Sequence, residues 1–95
     1  MAQLSTIGKV ATTVRTNEQG CTQVTYHNTV VVAFTGKAIV LNNGGWMTNT
    51  TKTRMNQTSH QFNLGYQVHQ RDWNWYVTFK GEELPFTGRI IELTR

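Results

Sequence analysis

The first half of the chain alternates polar and apolar residues in a pattern typical of antiparallel strands. Val10, Thr12 and Val14 share one face of a predicted strand, and residues 17–20 predict a hairpin turn into a second strand over 22–26. Residues 30–34 and 38–41 are apolar on both faces, so we expect this hairpin at the centre of a sheet. Both faces of this hairpin must then be covered. We expect a helix to pack on one face, and the remaining strands or another subunit to pack on the other.

The middle of the chain changes to a helical repeat. A helix is predicted from Thr48 or Asn49 to Asn63, with Leu64 and Gly65 as its stop. The stripe expected to be buried consists of Thr51, Met55, Thr58 and Phe62. The two flanks expected to be exposed consist of Lys52, Asn56, His60 and Asn63 on one side and Arg54, Gln57 and Gln61 on the other.

Beyond the helix the strand pattern returns. Residues 66–70 and 73–79 predict a hairpin with its turn at Arg71 and Asp72, and residues 89–93 predict a last strand. The face expected to enter the core consists of Trp73, Trp75, Val77 and Phe79. Residues 82–86 predict a short edge or turn segment, because Pro85 cannot donate to a ladder. The sequence therefore predicts a single α+β domain over 1–95, mainly antiparallel sheet of about five to seven strands, with one helix at about 49–63.

Composition and charge indicate which kinds of partner the protein could have. A chain of 95 residues builds a core of only marginal stability, which favours a homo-oligomer. The net charge is +4, and the basic excess lies in the part that ends at Arg54, where Glu18 is the single acid. The bases of that part are Lys9, Arg15, Lys37, Lys52 and Arg54. This distribution indicates either an anionic partner or an ordinary solubilising charge.

The residue types argue against catalysis, a metal site and export. Cys21 is the single cysteine, so no intrachain disulfide is expected, and we interpret it as a packing residue at a strand end. The titratable side chains are scattered or adjacent along a strand, a poor arrangement for a metal or an acid–base pair: His27, His60, His69, Asp72, Glu82 and Glu83. We expect no enzyme, no cofactor, no membrane partner and no signal peptide.

The strongest candidate for a binding site is the segment from Gly44 to Asn56. Two glycines precede a threonine-rich helix start that carries Lys and Arg and no acid, a setting that suits a phosphate. It is not a Walker P-loop, because the Gly-x-x-x-x-Gly-Lys-Ser/Thr spacing is absent. The predicted ligand-binding residues are Gly44, Gly45, Trp46, Thr48, Thr50, Thr51, Lys52, Arg54, Asn56 and, as an aromatic face for a base, Tyr26 with its neighbour His27. An ordinary capped helix after a glycine turn is the alternative.

The same segment resembles a known group of viral proteins. Gly44-Gly45-Trp46-x-Thr48-x-Thr50-Thr51-Lys52-x-Arg54-Met55-Asn56-Gln57, followed by Gln61-Phe62-x-Leu64-Gly65-Tyr66-x-Val68 and Trp75-Tyr76-Val77, is similar to small proteins of bacteriophages and marine viral genomes whose activity is uncharacterised. The likeness covers about residues 24–86. It implies a viral origin and the cytoplasm of a bacterial host, and it carries no binding residues with it.

Two classes of function follow from these observations. The first is a non-enzymatic binder of a phosphorylated small molecule, most plausibly a cyclic or modified nucleotide of host immunity, acting as an anti-defence sponge. The alternatives are a nucleic-acid-binding protein that uses the same basic, aromatic surface, and a protein–protein adaptor. The modest charge favours the first, since a pocket needs only a few cations and donors.

Overall fold

The computed structural model describes residues 11–45 and 48–95. Within them the chain forms eight strands and one helix in an α+β arrangement, which confirms the predicted fold class. The elements are β1 (Thr12–Thr16), β2 (Thr22–Tyr26), β3 (Thr29–Phe34), β4 (Ala38–Asn42), α1 (Asn49–Phe62), β5 (Tyr66–Arg71), β6 (Asn74–Phe79), β7 (Glu82–Pro85) and β8 (Ile90–Thr94).

The larger sheet has five antiparallel strands in the order β1-β2-β3-β4-β8. The doubly apolar hairpin β3–β4 therefore lies inside the sheet, as its sequence predicts. The register between β2 and β3 shifts after Val24, which leaves Val31 as an extra residue in β3. Because of this bulge, the consecutive residues Val31 and Val32 both enter the core.

The smaller sheet has three antiparallel strands in the order β5-β6-β7. Glu82–Pro85 forms its edge strand, in agreement with the expected edge position of Pro85. The turn between β5 and β6 lies at Asp72 and Trp73, so the expectation that Trp73 enters the core is wrong. Trp73 stands at the tip of the hairpin with 90% of its surface exposed, whereas Trp75 and Val77 are buried.

Helix α1 begins and ends as the sequence predicts. Thr48 is the N-cap, and Asn63 ends the helix in the left-handed conformation. Met55 and Thr58 are buried, and the Phe62 ring lies 5.0 Å from that of Phe34 in β3. The helix therefore packs on the larger sheet through the predicted stripe.

The two flanks of α1 are less exposed than predicted, at Asn56 on one flank and at Gln57 on the other. Asn56 and Ser59 face the outer edge of β5, and each side chain both donates to and accepts from the backbone of that strand. The Asn56 amide bonds Val68 in this way, and the Ser59 hydroxyl bonds Tyr66. Asn56 and Ser59 are consequently buried, and Gln57 is buried as well. The helix thus replaces a missing neighbouring strand with side-chain hydrogen bonds.

A single hydrophobic core joins the two sheets and the helix. Its buried members include Leu41 and Leu93 of the larger sheet, Met55 of α1, and Val77 of the smaller sheet. No helix in the described part of the chain is long and apolar enough to span a bilayer.

Candidate functional site

A cleft of about 410 Å³ lies where the start of α1 meets the turn between β2 and β3. Its lining consists of Tyr26, His27, Asn28, Thr29, Val31, Asn43, Thr48 and Thr51. Three of these, Tyr26, Thr48 and Thr51, are residues that the sequence predicts to bind a ligand, and a fourth, His27, is the aromatic neighbour named with Tyr26. The fold therefore brings a strand end and a helix start, more than twenty positions apart in the chain, to one concave surface.

The aromatic wall of the cleft is formed by the β2–β3 turn. The His27 N–H donates to the Ala11 carbonyl at 2.8 Å, and His27 has a φ of 55°, the left-handed conformation. Its ring lies 4.4 Å from the Tyr26 ring at an angle of 51°. The tight turn thus presents two aromatic faces beside each other at the rim of the cleft, where Tyr26 is half-buried and His27 is exposed.

A second wall of the cleft is formed by Asn43, which lies in the loop over residues 42–45, whereas Gly44 and Gly45 are outside the lining. The Gly44 and Gly45 N–H groups donate to the side-chain oxygens of Asn42 and Asn43, each at 2.8 Å. Both glycines have positive φ, and a Cβ on Gly44 would lie 2.8 Å from the Thr29 hydroxyl. The glycines therefore allow the chain to turn against Thr29, but their N–H groups are bonded within the loop instead of facing a ligand.

Asn43 connects this wall to the C-terminal part of the chain. Its backbone N–H donates to the Arg89 carbonyl at 2.9 Å, and its amide nitrogen donates to the Gly88 carbonyl at 3.1 Å. The exposed Arg89 guanidinium consequently lies beside Gly45, with Nε 3.5 Å from where a Cβ of that glycine would be. Arg89 belongs to the part of the chain after Arg54, in which basic and acidic residues balance. The fold places its positive charge beside the glycine segment.

The start of α1 supplies hydroxyls and a positive partial charge. The Thr48 hydroxyl accepts from the Thr51 N–H at 3.2 Å, and the two hydroxyls lie 3.1 Å apart. The first turn of the helix contains no acidic residue. The partial positive charge of the helix start is therefore not compensated by a carboxylate of its own turn.

The remaining predicted residues surround the cleft or point away from it. Arg54 donates from Nε to the Thr12 hydroxyl at 3.0 Å, and its guanidinium lies 5.7 Å from the centre of the Tyr26 ring, so it supports the aromatic wall. Thr50 is exposed and Lys52 is half-buried on the first turns of α1, outside the lining. Trp46 lies outside the described residues.

Asn56 is not part of the cleft. The nitrogen and the oxygen of its side-chain amide both form hydrogen bonds with the backbone of Val68, on the side of the helix that contacts β5. The expectation that Asn56 binds a ligand is thus not supported by its surroundings, because only 7% of the residue is exposed and both its amide oxygen and its amide nitrogen are engaged by Val68.

Four lining residues have no counterpart among the predicted site residues: Asn28, Thr29, Val31 and Asn43. Asn28 and Thr29 complete the turn that follows Tyr26 and His27, so recognising residues 26–29 as a two-residue hairpin turn would have indicated them. Val31 is the extra residue of the bulge in β3, and this position brings it into the lining of the cleft. A bulge depends on the pairing partner and leaves no local sequence signal.

A second polar cluster lies on the exposed face of the smaller sheet. Glu83 accepts from Arg71 at 2.7 Å and contacts His69 at 3.0 Å. Hydrogen bonds from Arg71 first, and from His69, lower the pKa of the Glu83 carboxyl, while the bond to Glu83 raises the pKa of Arg71. The Arg71 guanidinium also lies 4.7 Å from the Tyr76 ring. Its charges are paired internally, so this cluster offers less to an anionic ligand than the cleft does.

Comparison with known proteins identifies a family. The model of the Kyanoviridae Gp96 protein, a bacteriophage protein family, matches residues 2–92 of the chain. No curated protein and no solved structure matches. The match supports the viral origin that the sequence resemblance implies, and the likeness of the individual Gly-Gly-Trp segment stays a prediction.

Proposed function

Because this chain belongs to the Kyanoviridae Gp96 protein family, it is a phage protein, and we propose that it acts in the infected bacterium by holding a phosphorylated small molecule. The proposed ligand is a nucleotide, in particular a cyclic or modified nucleotide that serves as an immune signal. The protein binds this ligand without converting it, so its effect on the host is sequestration.

The observation that supports this proposal is the convergence of Tyr26, Thr48 and Thr51 on one cleft. Their side chains have complementary chemistry: an aromatic face for a base, and hydroxyls at a helix start for a phosphate. Pockets for small ligands typically measure about 300–1,000 Å³. A cleft of about 410 Å³ falls within that range and can enclose a nucleotide, whereas a polymer needs an extended groove.

Each wall of the cleft has a defined part in the proposed complex. The Tyr26 and His27 rings stack on the base, and the Thr48 hydroxyl with the start of α1 receives the phosphate. Arg89 beside Gly45 and Lys52 on the helix contribute positive charge around the phosphate. Among the described residues, none of those that line the cleft carries a carboxylate that would repel it.

Isothermal titration calorimetry against a panel of linear, cyclic and modified nucleotides tests the proposal. We expect at least one nucleotide to bind with a Kd in the micromolar range or tighter. Tyr26→Leu removes the stacking face and is expected to weaken binding at least about tenfold. Tyr76→Leu is the matched control, since it makes the same change on the smaller sheet and is expected to leave the Kd unchanged.

Three outcomes would contradict the proposal. The first is the absence of binding to every nucleotide of the panel. The second is a Kd that responds equally to Tyr26→Leu and Tyr76→Leu. The third is recovery of the nucleotide in a chemically altered form, which would indicate an enzyme. Retardation of single-stranded DNA that weakens steeply with salt, without nucleotide binding, would favour the nucleic-acid alternative.

A further inference from the structure

The larger sheet has one face turned towards the core and one turned away from it. Directly opposed residues of neighbouring strands point to the same face, and Val24, Val32 and Leu41 form one such row in the core. The adjacent row therefore lies on the other side, which we call the outer face. This outer row, in spatial order, consists of Arg15, Gln23, Ala33, Val40 and Glu92.

The outer face is apolar at its centre and polar at its ends. Ala33 and Val40 lie on the inner strands β3 and β4 and are half-buried. Arg15 and Glu92 are exposed on the two edge strands, β1 and β8. Beside this row, Ile90 is 61% exposed, which is a large exposed fraction for an isoleucine. In the part of the chain that the structure describes, α1 and the smaller sheet pack against the opposite face.

The order of charges along the outer row is self-complementary. The positive end is Arg15, the negative end is Glu92, and β3 is the middle strand of the five. A two-fold axis parallel to the strands and passing over β3 would carry β1 of one copy onto β8 of another. Arg15 would then face Glu92 of the second copy, and the same pair would recur at the other end of the interface.

We infer that the outer face of the larger sheet is the interface of a homodimer. Two copies pack sheet against sheet, with Ala33 at the centre and the Arg15–Glu92 pairs at both rims. A second copy is favoured over an unrelated partner because this one row carries both halves of the complementary charge pattern. The inference is independent of the proposed ligand, because the outer face and the cleft lie on different surfaces of the sheet.

The dimensions of the face limit the strength of this dimer. Five strands about 4.8 Å apart, each five residues long, span roughly 20 Å by 17 Å. Aligned sheets pack about 10 Å apart, a separation that the long side chains of Arg15 and Glu92 can bridge. This flat area, roughly 340 Å² per copy, is smaller than that of a standard specific interface, so we expect a weak dimer with a Kd in the upper micromolar range.

A charge exchange tests the interface. Sedimentation equilibrium of the full chain over a concentration series should show twice the 10.8 kDa chain mass at the upper concentrations. Arg15→Glu and Glu92→Arg each place like charges together at both rims and are expected to raise the dimer Kd at least about tenfold. The double variant Arg15→Glu/Glu92→Arg restores both pairs, and its Kd is expected to return to within about threefold of the original.

Lys37→Glu serves as the matched control, because it reverses an exposed charge in the β3–β4 turn, outside the outer row, and should leave the Kd unchanged. Circular dichroism of every variant establishes that the monomer stays folded. The inference is overturned by a wild-type chain that is monomeric up to about 0.5 mM. It is equally overturned by single variants that dimerise normally, or by a double variant that is no better than the singles.

Discussion

The side-chain amide of Asn56 bonds both backbone groups of Val68, donating from Nδ2 to the carbonyl at 2.8 Å and accepting from the N–H at 2.7 Å. An amide has the same donor–acceptor pair as a peptide group, so Asn56 pairs with β5 as a neighbouring strand would. Ser59 does the same for Tyr66 with a single hydroxyl. The helix is thereby attached to the smaller sheet by hydrogen bonds as well as by apolar packing.

Replacing Asn56 should destabilise the protein strongly. Asn56→Ala leaves a buried N–H and a buried carbonyl of Val68 without partners, and each such group costs about 1–3 kcal/mol. We expect the free energy of unfolding to fall by about 2–4 kcal/mol in urea denaturation followed by circular dichroism. His60→Ala, on the exposed side of the same helix, should change it by less than about 0.5 kcal/mol. Equal effects of the two substitutions would refute the role of Asn56.

Gly44 should be intolerant of a side chain for two separable reasons. Gly44→Ala places a Cβ at a φ of 63° and 2.8 Å from the Thr29 hydroxyl, so we expect a loss of about 2 kcal/mol or more in stability. Gly65→Ala has the same kind of φ and nothing within 4 Å, and should lose only about 1 kcal/mol.

The contact with Thr29 can be isolated by a double-mutant cycle. Thr29→Ala removes the hydroxyl and the methyl that the new Cβ would meet, so it should recover about 1 kcal/mol in the Gly44→Ala background. A coupling free energy of zero would mean that backbone conformation alone explains the effect of Gly44→Ala.

The β5–β6 hairpin should be stabilised by replacing Trp73 with glycine. Asp72 and Trp73 have φ values of 51° and 70°, a turn in which glycine is strongly preferred at the second position. Trp73→Gly is expected to raise the free energy of unfolding by about 1 kcal/mol. Trp73→Ala removes the ring but keeps the unfavourable φ, and should give no gain. If both variants gain equally, the exposed ring and not the backbone is the source of strain.

Stability should fall at alkaline pH because of Tyr66. Burial raises the pKa of the Tyr66 phenol above its ordinary value of 10.0, and the hydroxyl donates to the Met55 carbonyl. Below pH 10 the phenol is protonated in both states; above it, only the unfolded chain loses the proton. The free energy of unfolding should therefore decrease by about 1.4 kcal/mol per pH unit above 10.

Tyr66→Phe removes this dependence. It lowers stability by about 1 kcal/mol at neutral pH, because the Met55 carbonyl loses its donor, but it should flatten the decline above pH 10. Tyr76→Phe, a half-buried tyrosine on the same sheet, is the control and should keep the decline. Urea denaturation at pH 8 to 11 measures both, and parallel curves for wild type and Tyr66→Phe would exclude Tyr66 as the cause.

The sequence predicts well what depends on local pattern. The helix from Thr48 to Asn63 follows from a capping threonine and a stripe at helical spacing, and the inner hairpin follows from two runs that are apolar on both faces. Trp73 is the exception, because alternation assigns it to the same face as Trp75. The turn begins one residue later than predicted and takes Trp73 out of the strand.

Tertiary pairing explains the other differences. Asn56 looks like a solvent-facing helical residue until β5 lies beside it, and nothing near position 56 indicates that strand. The sequence groups Tyr26 and Thr48 by their chemistry, and the fold places both in the lining of one cleft. The sequence does not indicate that Asn42 and Asn43 accept from the Gly44 and Gly45 N–H groups, because these bonds depend on how the loop turns.

The attachment of α1 to β5 also limits how copies of this protein can associate through their backbones. The outer edge of β5 is occupied by Asn56 and Ser59, and the other edge of that sheet ends in β7, which carries two glutamates and Pro85. Neither side accepts an additional strand readily. Uncontrolled growth by strand addition is therefore disfavoured at the smaller sheet, so at least one of the two sheets of this phage protein is protected against aggregation.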